Sequence, residues 1–200
     1  MPHVKHLSKD KLLKKAIQQS GRLELKKRKN IFIYLVKSIT SQQLSTKVAE
    51  VIYNRFIDLF DEEPTPQQVL ELKHEQLRAI GLSNSKVTYV QNVARFAIEK
   101  GLDVKHLNKM DNEELVAYLT EIKGVGRWTA EMIMMFALGR EDVFAVDDLG
   151  IQMAIKNLYQ LKIKETKKLK KKMLVISESW SPYRTYACMY LWRWKDNEKA

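Results

Sequence analysis

Apolar residues recur at three- and four-residue intervals along almost the whole chain, and no stretch alternates apolar and polar residues as a half-buried strand would. This spacing places apolar side chains along one face of an α-helix. Stretches such as "NIFIYLVKSIT", "QLSTKVAEVIYNRFIDLF" and "YRTYACMYLWRW" carry the pattern clearly. We therefore predict an all-α protein of about ten helices joined by short connections.

Residues typical of helix ends support this prediction. Thr65 precedes Pro66 and has Gln68 three positions later, which is a capping box at a helix start. Asp111 and Glu114 form a second box of the same kind. Ser83 and Gly101 have the positions of a start and a stop for the helix between them.

The composition indicates a folded, basic protein. Lys and Arg number 35 against 24 Asp and Glu, which gives a net charge of +11 and suits a polyanionic partner such as nucleic acid. The single cysteine, Cys188, excludes an intramolecular disulfide and a cysteine-ligated zinc or iron–sulfur site, and fits a reducing compartment. Because no apolar run reaches the length of a membrane span, we expect no membrane partner.

Two segments of the C-terminal half carry unusual patterns. The sequence Gly124-Val125-Gly126 separates two predicted helices, and this arrangement is typical of a helix–hairpin–helix. Two glycines permit a tight turn with positive φ, where a phosphate can approach the backbone and the next helix N-terminus. The alternative is an ordinary glycine-capped turn. Residues 162–172 are rich in lysine, and the apolar stripe beside them predicts a solvated helix face.

Several stretches together resemble one family. "GVGRWTA", "DVFAVDDLGI", "ITSQQLSTKVA", "GLSNSKVTYVQNVA" and "WSPYRTYACMYLWRW" are similar, in order and spacing, to signature stretches of the helix–hairpin–helix DNA glycosylase superfamily. The branch they resemble is that of 3-methyladenine DNA glycosylase II, in its compact form. The resemblance implies an all-α, two-lobed fold with an active-site cleft between the lobes.

The resemblance also implies a division of the chain. A six-helix lobe spans residues 30–130 and ends in the hairpin. The N-terminal helix within residues 1–29 joins the C-terminal helical lobe of residues 131–200. Along the hairpin, the resemblance implies DNA-backbone contacts at five positions, which are Gly124, Val125, Gly126, Arg127 and Thr129.

The residue after "GVGR" decides which kind of glycosylase is expected. Members that also cleave the strand carry a lysine there, which forms a Schiff base, whereas this chain has Trp128. A tryptophan face attracts a cationic ring such as an alkylated purine. The resemblance therefore places Trp128 in a base pocket with Trp192 and, one helical turn after Trp128, Met132. Trp180 and Trp194 are close to Trp192 in sequence and remain alternatives to it.

The expected catalytic residue is Asp148. It precedes Leu149-Gly150-Ile151 as the family's catalytic aspartate precedes its helix, whereas Asp147 fits that pattern less well. A fixed carboxylate stabilises the positive charge that develops on the sugar when the glycosidic bond breaks. The alternative is that one of the two aspartates only caps the helix, and Asp147 is the candidate for that role.

Two further sites follow from the resemblance. A wedge that fills the gap left by an extruded base is expected in the "SQQLS" loop, with Gln43 as the first choice and Leu44 as the second. A structural Na⁺ or K⁺ is expected at the hairpin on the main-chain carbonyls of Thr120, Ile122 and Val125, and no other cofactor is required.

The sequence thus predicts a monofunctional, monomeric DNA glycosylase that removes alkylated purines of the 3-methyladenine type from damaged double-stranded DNA. It would reside with the DNA, in the bacterial cytoplasm or in a eukaryotic nucleus. Two alternatives remain: a glycosylase for an etheno or deaminated base, and a helix–hairpin–helix protein that binds DNA without catalysis. A bifunctional glycosylase/lyase is disfavoured by Trp128.

Overall fold

A computed structural model describes residues 1–28 and 30–197, and every regular element in these ranges is an α-helix. The prediction of an all-α protein is therefore confirmed. The thirteen helices of the described residues are α1 (Pro2–Leu7), α2 (Lys11–Ser20), α3 (Ile31–Ser41), α4 (Thr46–Ile57), α5 (Pro66–Glu71), α6 (His74–Ala79), α7 (Asn84–Glu99), α8 (Val104–Leu107), α9 (Asn112–Thr120), α10 (Arg127–Phe136), α11 (Leu149–Leu158), α12 (Thr166–Glu178) and α13 (Arg184–Asn197).

The predicted helix caps lie where the sequence placed them. The capping box of Thr65 and Gln68 opens α5, and that of Asp111 and Glu114 opens α9. Each box satisfies backbone N–H groups that a helix start would otherwise leave without partners. The Ser83 side chain accepts from the Lys86 N–H at the start of α7, which ends before Gly101 at a φ of +89°.

The chain divides into two compact units. One unit comprises Arg28–Ile133, and the other combines Met1–Lys27 with the chain from Met134 onward. In its described part, the first unit contains α3–α9 and the start of α10, which is eight helices where the sequence predicted six. The additional helices are short, because α6 has six residues and α8 has four. Such helices are too short to show a repeated apolar spacing.

Within the Arg28–Ile133 unit, α7 is the central helix. It packs against α3, α5 and α6, and α3 also packs against α4. Fully buried apolar side chains fill this core, and Leu35, Phe56 and Val90 are examples. Burying each such side chain stabilises the fold by about 2 kcal/mol. The core fixes the C-terminal end of α3, from which the "SQQLS" loop begins.

In the other unit, α13 packs against α2 and α11, and α12 packs against α11. Trp180, Tyr190 and Cys188 are buried in this core. Leu169 and Met173 of α12 are buried as the apolar stripe predicted, and most of its lysines are exposed. No helix among the described residues is both long and apolar enough to cross a membrane.

Candidate functional site

The hairpin lies between α9 and α10, and its tightest point is Gly124. This residue has a φ of +109°, and a Cβ here would overlap the ring of Tyr89 on α7. Only glycine fits both the backbone conformation and the space. The turn is closed by a hydrogen bond from the Val125 N–H to the Ile122 carbonyl at 2.9 Å.

Gly126 differs from the sequence expectation, because its φ is not positive. Nothing lies within 4 Å of the position where its Cβ would be, so its lack of a side chain leaves open space directly before α10. The side chains of Ile122 and Val125 are buried, and therefore anchor the turn from inside. Gly126 is consequently a point of the hairpin where bare backbone is exposed.

The two polar residues predicted to contact DNA are engaged within the protein. The Arg127 guanidinium donates to Glu113 Oε2 at 3.0 Å, and Arg127 Nε lies 3.3 Å from Glu131 Oε1. The hydrogen bond to Glu113 raises the pKa of Arg127. The Thr129 side chain is only 4% exposed. The backbone N–H groups of both residues belong to the first turn of α10. N–H groups at a helix start lack partners within the helix and can bind an anion.

The loop with the predicted wedge residues is attached to the hairpin. Gln43 is exposed at a φ of +58°, which is rare for a residue other than glycine, and Leu44 is 37% exposed. The neighbouring Gln42 donates from Nε2 to the Gly124 carbonyl at 3.1 Å. Lys86 donates from Nζ to the Thr40 carbonyl at 2.9 Å, and burial lowers the pKa of this lysine. The end of α3 and the hairpin are thus held together.

On α10, the two predicted pocket residues differ in exposure. Trp128 is the second residue of the helix and is 42% exposed, which is unusual for so large an apolar side chain. Met132 follows one turn later and is buried. The indole of Trp128 therefore presents a surface, whereas Met132 supports the helix from inside.

Asp148 is the N-cap of α11, so the capping role belongs to this aspartate and not to Asp147. Its Oδ1 accepts from the Ile151 N–H at 2.8 Å and from the Trp192 indole N–H at 2.8 Å. Two donors on one oxygen fix the orientation of the carboxylate. Capping does not exclude a chemical role, since an ionised carboxylate has two oxygens and about four acceptor positions.

The structure distinguishes Trp192 from its two neighbours in sequence. Trp180 is fully buried and donates to Asp10 Oδ2 at 3.1 Å, and Trp194 is buried. Trp192 alone among these three bonds to Asp148 in the described structure, and its ring centroid lies 5.9 Å from that of Phe136. A Cβ at Gly150 would lie 3.1 Å from Trp192 Cδ1 and 3.0 Å from Asp148 Oδ1.

Asp147 has a different partner. Its Oδ1 lies 2.7 Å from Lys170 Nζ of α12, and both side chains are between one third and two fifths exposed. Asp147 therefore ties the turn before α11 to α12. The two neighbouring aspartates thus have separate contacts. Asp148 bonds to the Trp192 indole and the start of α11, and Asp147 pairs with Lys170.

Sequence reasoning missed three residues that shape these regions: Gln42, Tyr89 and Phe136. Phe136 could have been found, because it lies four residues after Met132 on α10 and repeats the helical spacing of the predicted pocket residues. The other two have no signal in the local sequence, since their roles depend on contacts between distant segments.

Comparison with known proteins identifies relatives of this chain. The family described as HhH-GPD superfamily base excision DNA repair protein matches residues 36–179. DNA-3-methyladenine glycosylase 1 of Schizosaccharomyces pombe is 38% identical over 164 residues, covering 80% of this chain and 70% of that protein.

Two solved structures extend the comparison to the fold. DNA-3-methyladenine glycosidase from Bacillus halodurans has a TM-score of 0.87 at 37% identity, covering 100% of this chain and 91% of that one. The Schizosaccharomyces pombe 3-methyladenine DNA glycosylase in complex with abasic DNA has a TM-score of 0.85 at 34% identity, covering 96% of each chain. The predicted helix–hairpin–helix fold is confirmed.

Proposed function

Because the chain belongs to the HhH-GPD superfamily of base excision DNA repair proteins, we propose that it is a monofunctional DNA glycosylase that hydrolyses the N-glycosidic bond of alkylated purines. The substrate is double-stranded DNA, and 3-methyladenine is the first lesion to test. The observation that carries this proposal is the Asp148 carboxylate, oriented by the Ile151 N–H and the Trp192 indole at 2.8 Å each.

Asp148 has the central role in the proposed reaction. Departure of the base gives the sugar oxocarbenium character, and a preoriented carboxylate stabilises this charge without having to reorganise. Water then attacks the sugar, and Asp148 accepts its proton. A cationic base leaves without needing a second acid, which agrees with alkylated purines as substrates.

Trp128 and Trp192 are proposed to recognise the base. The exposed indole of Trp128 offers a face for a cationic ring, and such contacts contribute about 0.5–2 kcal/mol. Trp192 contacts Asp148 through its N–H, so its ring lies beside the proposed catalytic carboxylate. Met132, one helical turn after Trp128 and buried, is proposed to line the same base pocket.

Trp128 also bears on the reaction class. A tryptophan cannot form an imine, so the sugar is attacked by water and no covalent intermediate forms. Treatment of the reaction with borohydride should therefore trap no enzyme–DNA adduct. A trapped adduct that depends on a lysine would contradict the monofunctional assignment.

DNA binding is proposed to use the hairpin and the "SQQLS" loop. Phosphates approach the backbone at Gly124 and Gly126 and the N–H groups that begin α10, while Gln43, with Leu44 beside it, fills the gap in the duplex. A Na⁺ or K⁺ would be held by the carbonyls of Thr120, Ile122 and Val125. These neutral oxygens at the end of α9 and in the turn fit a monovalent cation, which would add positive charge where phosphate binds.

The direct test is incubation with methylated genomic DNA and identification of released bases by chromatography. We expect the wild type to release 3-methyladenine. Asp148→Asn should release it at a rate at least about 100-fold lower. Release only of etheno or deaminated bases from correspondingly treated DNA would move the substrate to another lesion. Tight DNA binding with no release from any of these DNAs would leave a binding protein without catalysis.

A further inference from the structure

The lysine cluster of residues 162–172 is not used by the proposed function so far. It contains seven lysines and one acidic residue, Glu165. Within α12, four of the lysines form i,i+4 pairs, and like charges at this spacing destabilise a helix. The pairs are Lys167 with Lys171 and Lys168 with Lys172. A helix face of this charge fits a polyanion, which would relieve the repulsion.

The ion pair between Lys170 and Asp147 locates one side of this helix. Lys170 Nζ lies 2.7 Å from Asp147 Oδ1, and Asp147 directly precedes Asp148 in the chain. The Lys170 side of α12 is therefore next to the turn that presents the proposed catalytic carboxylate. A sugar at Asp148 is covalently bound to two phosphates, so the adjoining DNA backbone must pass close to this turn.

Helix geometry divides the remaining lysines into two groups. Residues of an α-helix are rotated by about 100° each, so Lys167 and Lys171 lie within about 100° of Lys170 around α12. Lys168 and Lys172 lie about 160° from Lys170, on the opposite side. All four side chains are exposed. Lys168 also has a partner within the protein, since its Nζ lies 2.7 Å from Glu165 Oε2.

We propose that Lys167 and Lys171 form a second DNA-backbone contact surface, which binds phosphates of the damaged strand next to the nucleotide at Asp148. The inference rests on the proposed function for its choice of DNA as the polyanion. The two lysines complement the charge of the phosphate backbone, and Lys170 beside them on α12 is paired with Asp147 of the Asp147–Asp148 turn. The pair on the opposite side, Lys168 and Lys172, is expected to face solvent.

This division provides a matched control within one helix. The variants Lys167→Gln/Lys171→Gln and Lys168→Gln/Lys172→Gln remove the same formal charge from neighbouring positions of α12. Affinity for an undamaged duplex is measured for both over a range of salt concentrations. The negative slope of log affinity against log salt should become shallower by about 1.8 in Lys167→Gln/Lys171→Gln, because two phosphate contacts are lost. The slope for Lys168→Gln/Lys172→Gln should stay near that of the wild type.

Single-turnover excision at saturating enzyme should be unchanged in Lys168→Gln/Lys172→Gln, because this pair lies on the opposite side of α12 from Lys170. Absence of base release by the wild type would contradict the proposed function but leave the salt-slope comparison valid. Equal slope changes in the two variants would overturn the inference in favour of a general electrostatic field. An unchanged slope in both variants would also overturn the inference. Poly-glutamate serves as a second polyanion, and loss of poly-glutamate binding in Lys167→Gln/Lys171→Gln without any change in DNA binding would overturn it as well.

Discussion

The hairpin region and the Asp148 region are built from different parts of the chain's chemistry. At Gly126 the hairpin surface is backbone, because no side chain covers this residue, and the side chains of Val125 and Thr129 are buried. The Asp148 region depends on side-chain atoms, since one carboxylate oxygen receives the Trp192 indole N–H. In the proposed function, the backbone surface would bind DNA of any sequence, whereas the oriented carboxylate would act at one atom of the sugar.

This comparison predicts that changes at Asp148 affect chemistry and changes at the hairpin affect binding. The largest expected effect is that of Asp148→Asn. Base release in single-turnover assays should fall roughly 10²–10³-fold, because one preorganised charge is lost, while DNA affinity stays near that of the wild type. Asp147→Asn, which breaks only the Lys170 ion pair, is the matched control and should retain most activity. A larger loss in Asp147→Asn would reverse the assignment.

Trp192→Phe tests the orientation of the carboxylate. The change removes the indole N–H that bonds to Asp148 Oδ1 at 2.8 Å but keeps an aromatic ring. Since a hydrogen bond to a charged group is worth about 1.5–3 kcal/mol, base release should fall by roughly tenfold or more. Trp194→Phe, at a buried position without this contact, serves as the control. Equal activities for wild type and Trp192→Phe would mean that the indole does not position Asp148.

The two hairpin glycines should separate stability from binding. Gly124→Ala should lower the free energy of unfolding by about 1–3 kcal/mol, because of its positive φ and the overlap with Tyr89. Gly126→Ala should leave thermal stability nearly unchanged and weaken DNA affinity, since its Cβ occupies the open space before α10. Thermal unfolding and binding are measured for both variants. Unchanged DNA affinity in Gly126→Ala would place the phosphate elsewhere.

The smallest predicted effect concerns the link between the wedge loop and the hairpin. Gln42→Met keeps a side chain of similar length without adding charge but removes the N–H that donates to the Gly124 carbonyl. The equilibrium constant for opening the duplex, measured by 2-aminopurine fluorescence next to the lesion, should fall several-fold. The reason is that the lost hydrogen bond contributes about 1 kcal/mol. Excision from a lesion placed in a mismatch should be less affected. An equal loss on both substrates would assign Gln42 a purely structural role.

Much of the fold could be predicted because its signals are local. The caps at Thr65, Ser83 and Asp111 act over three residues and are present as predicted. The hairpin was also predictable, although only Gly124 of its two glycines has a positive φ. The short helices α6 and α8 escaped prediction, because six and four residues contain too little apolar periodicity.

The predictions for individual side chains fared differently, because they depend on partners far along the chain. The DNA contact of Arg127 stays a prediction, whereas the bond of its guanidinium to Glu113, 14 positions earlier, had no signal in the sequence. Asp147 was the candidate cap, yet Asp148 caps α11 and Asp147 pairs with Lys170.

The sequence by itself determined the helices, their caps and the glycine turn, since these follow from interactions within one or two helical turns. Only the tertiary structure decided which of three tryptophans meets Asp148, because Trp192 lies 44 positions away from it in the chain. It likewise decided that Gln42 reaches the Gly124 carbonyl across 82 positions. Such contacts depend on how whole helices pack, and no local pattern of residues contains that information.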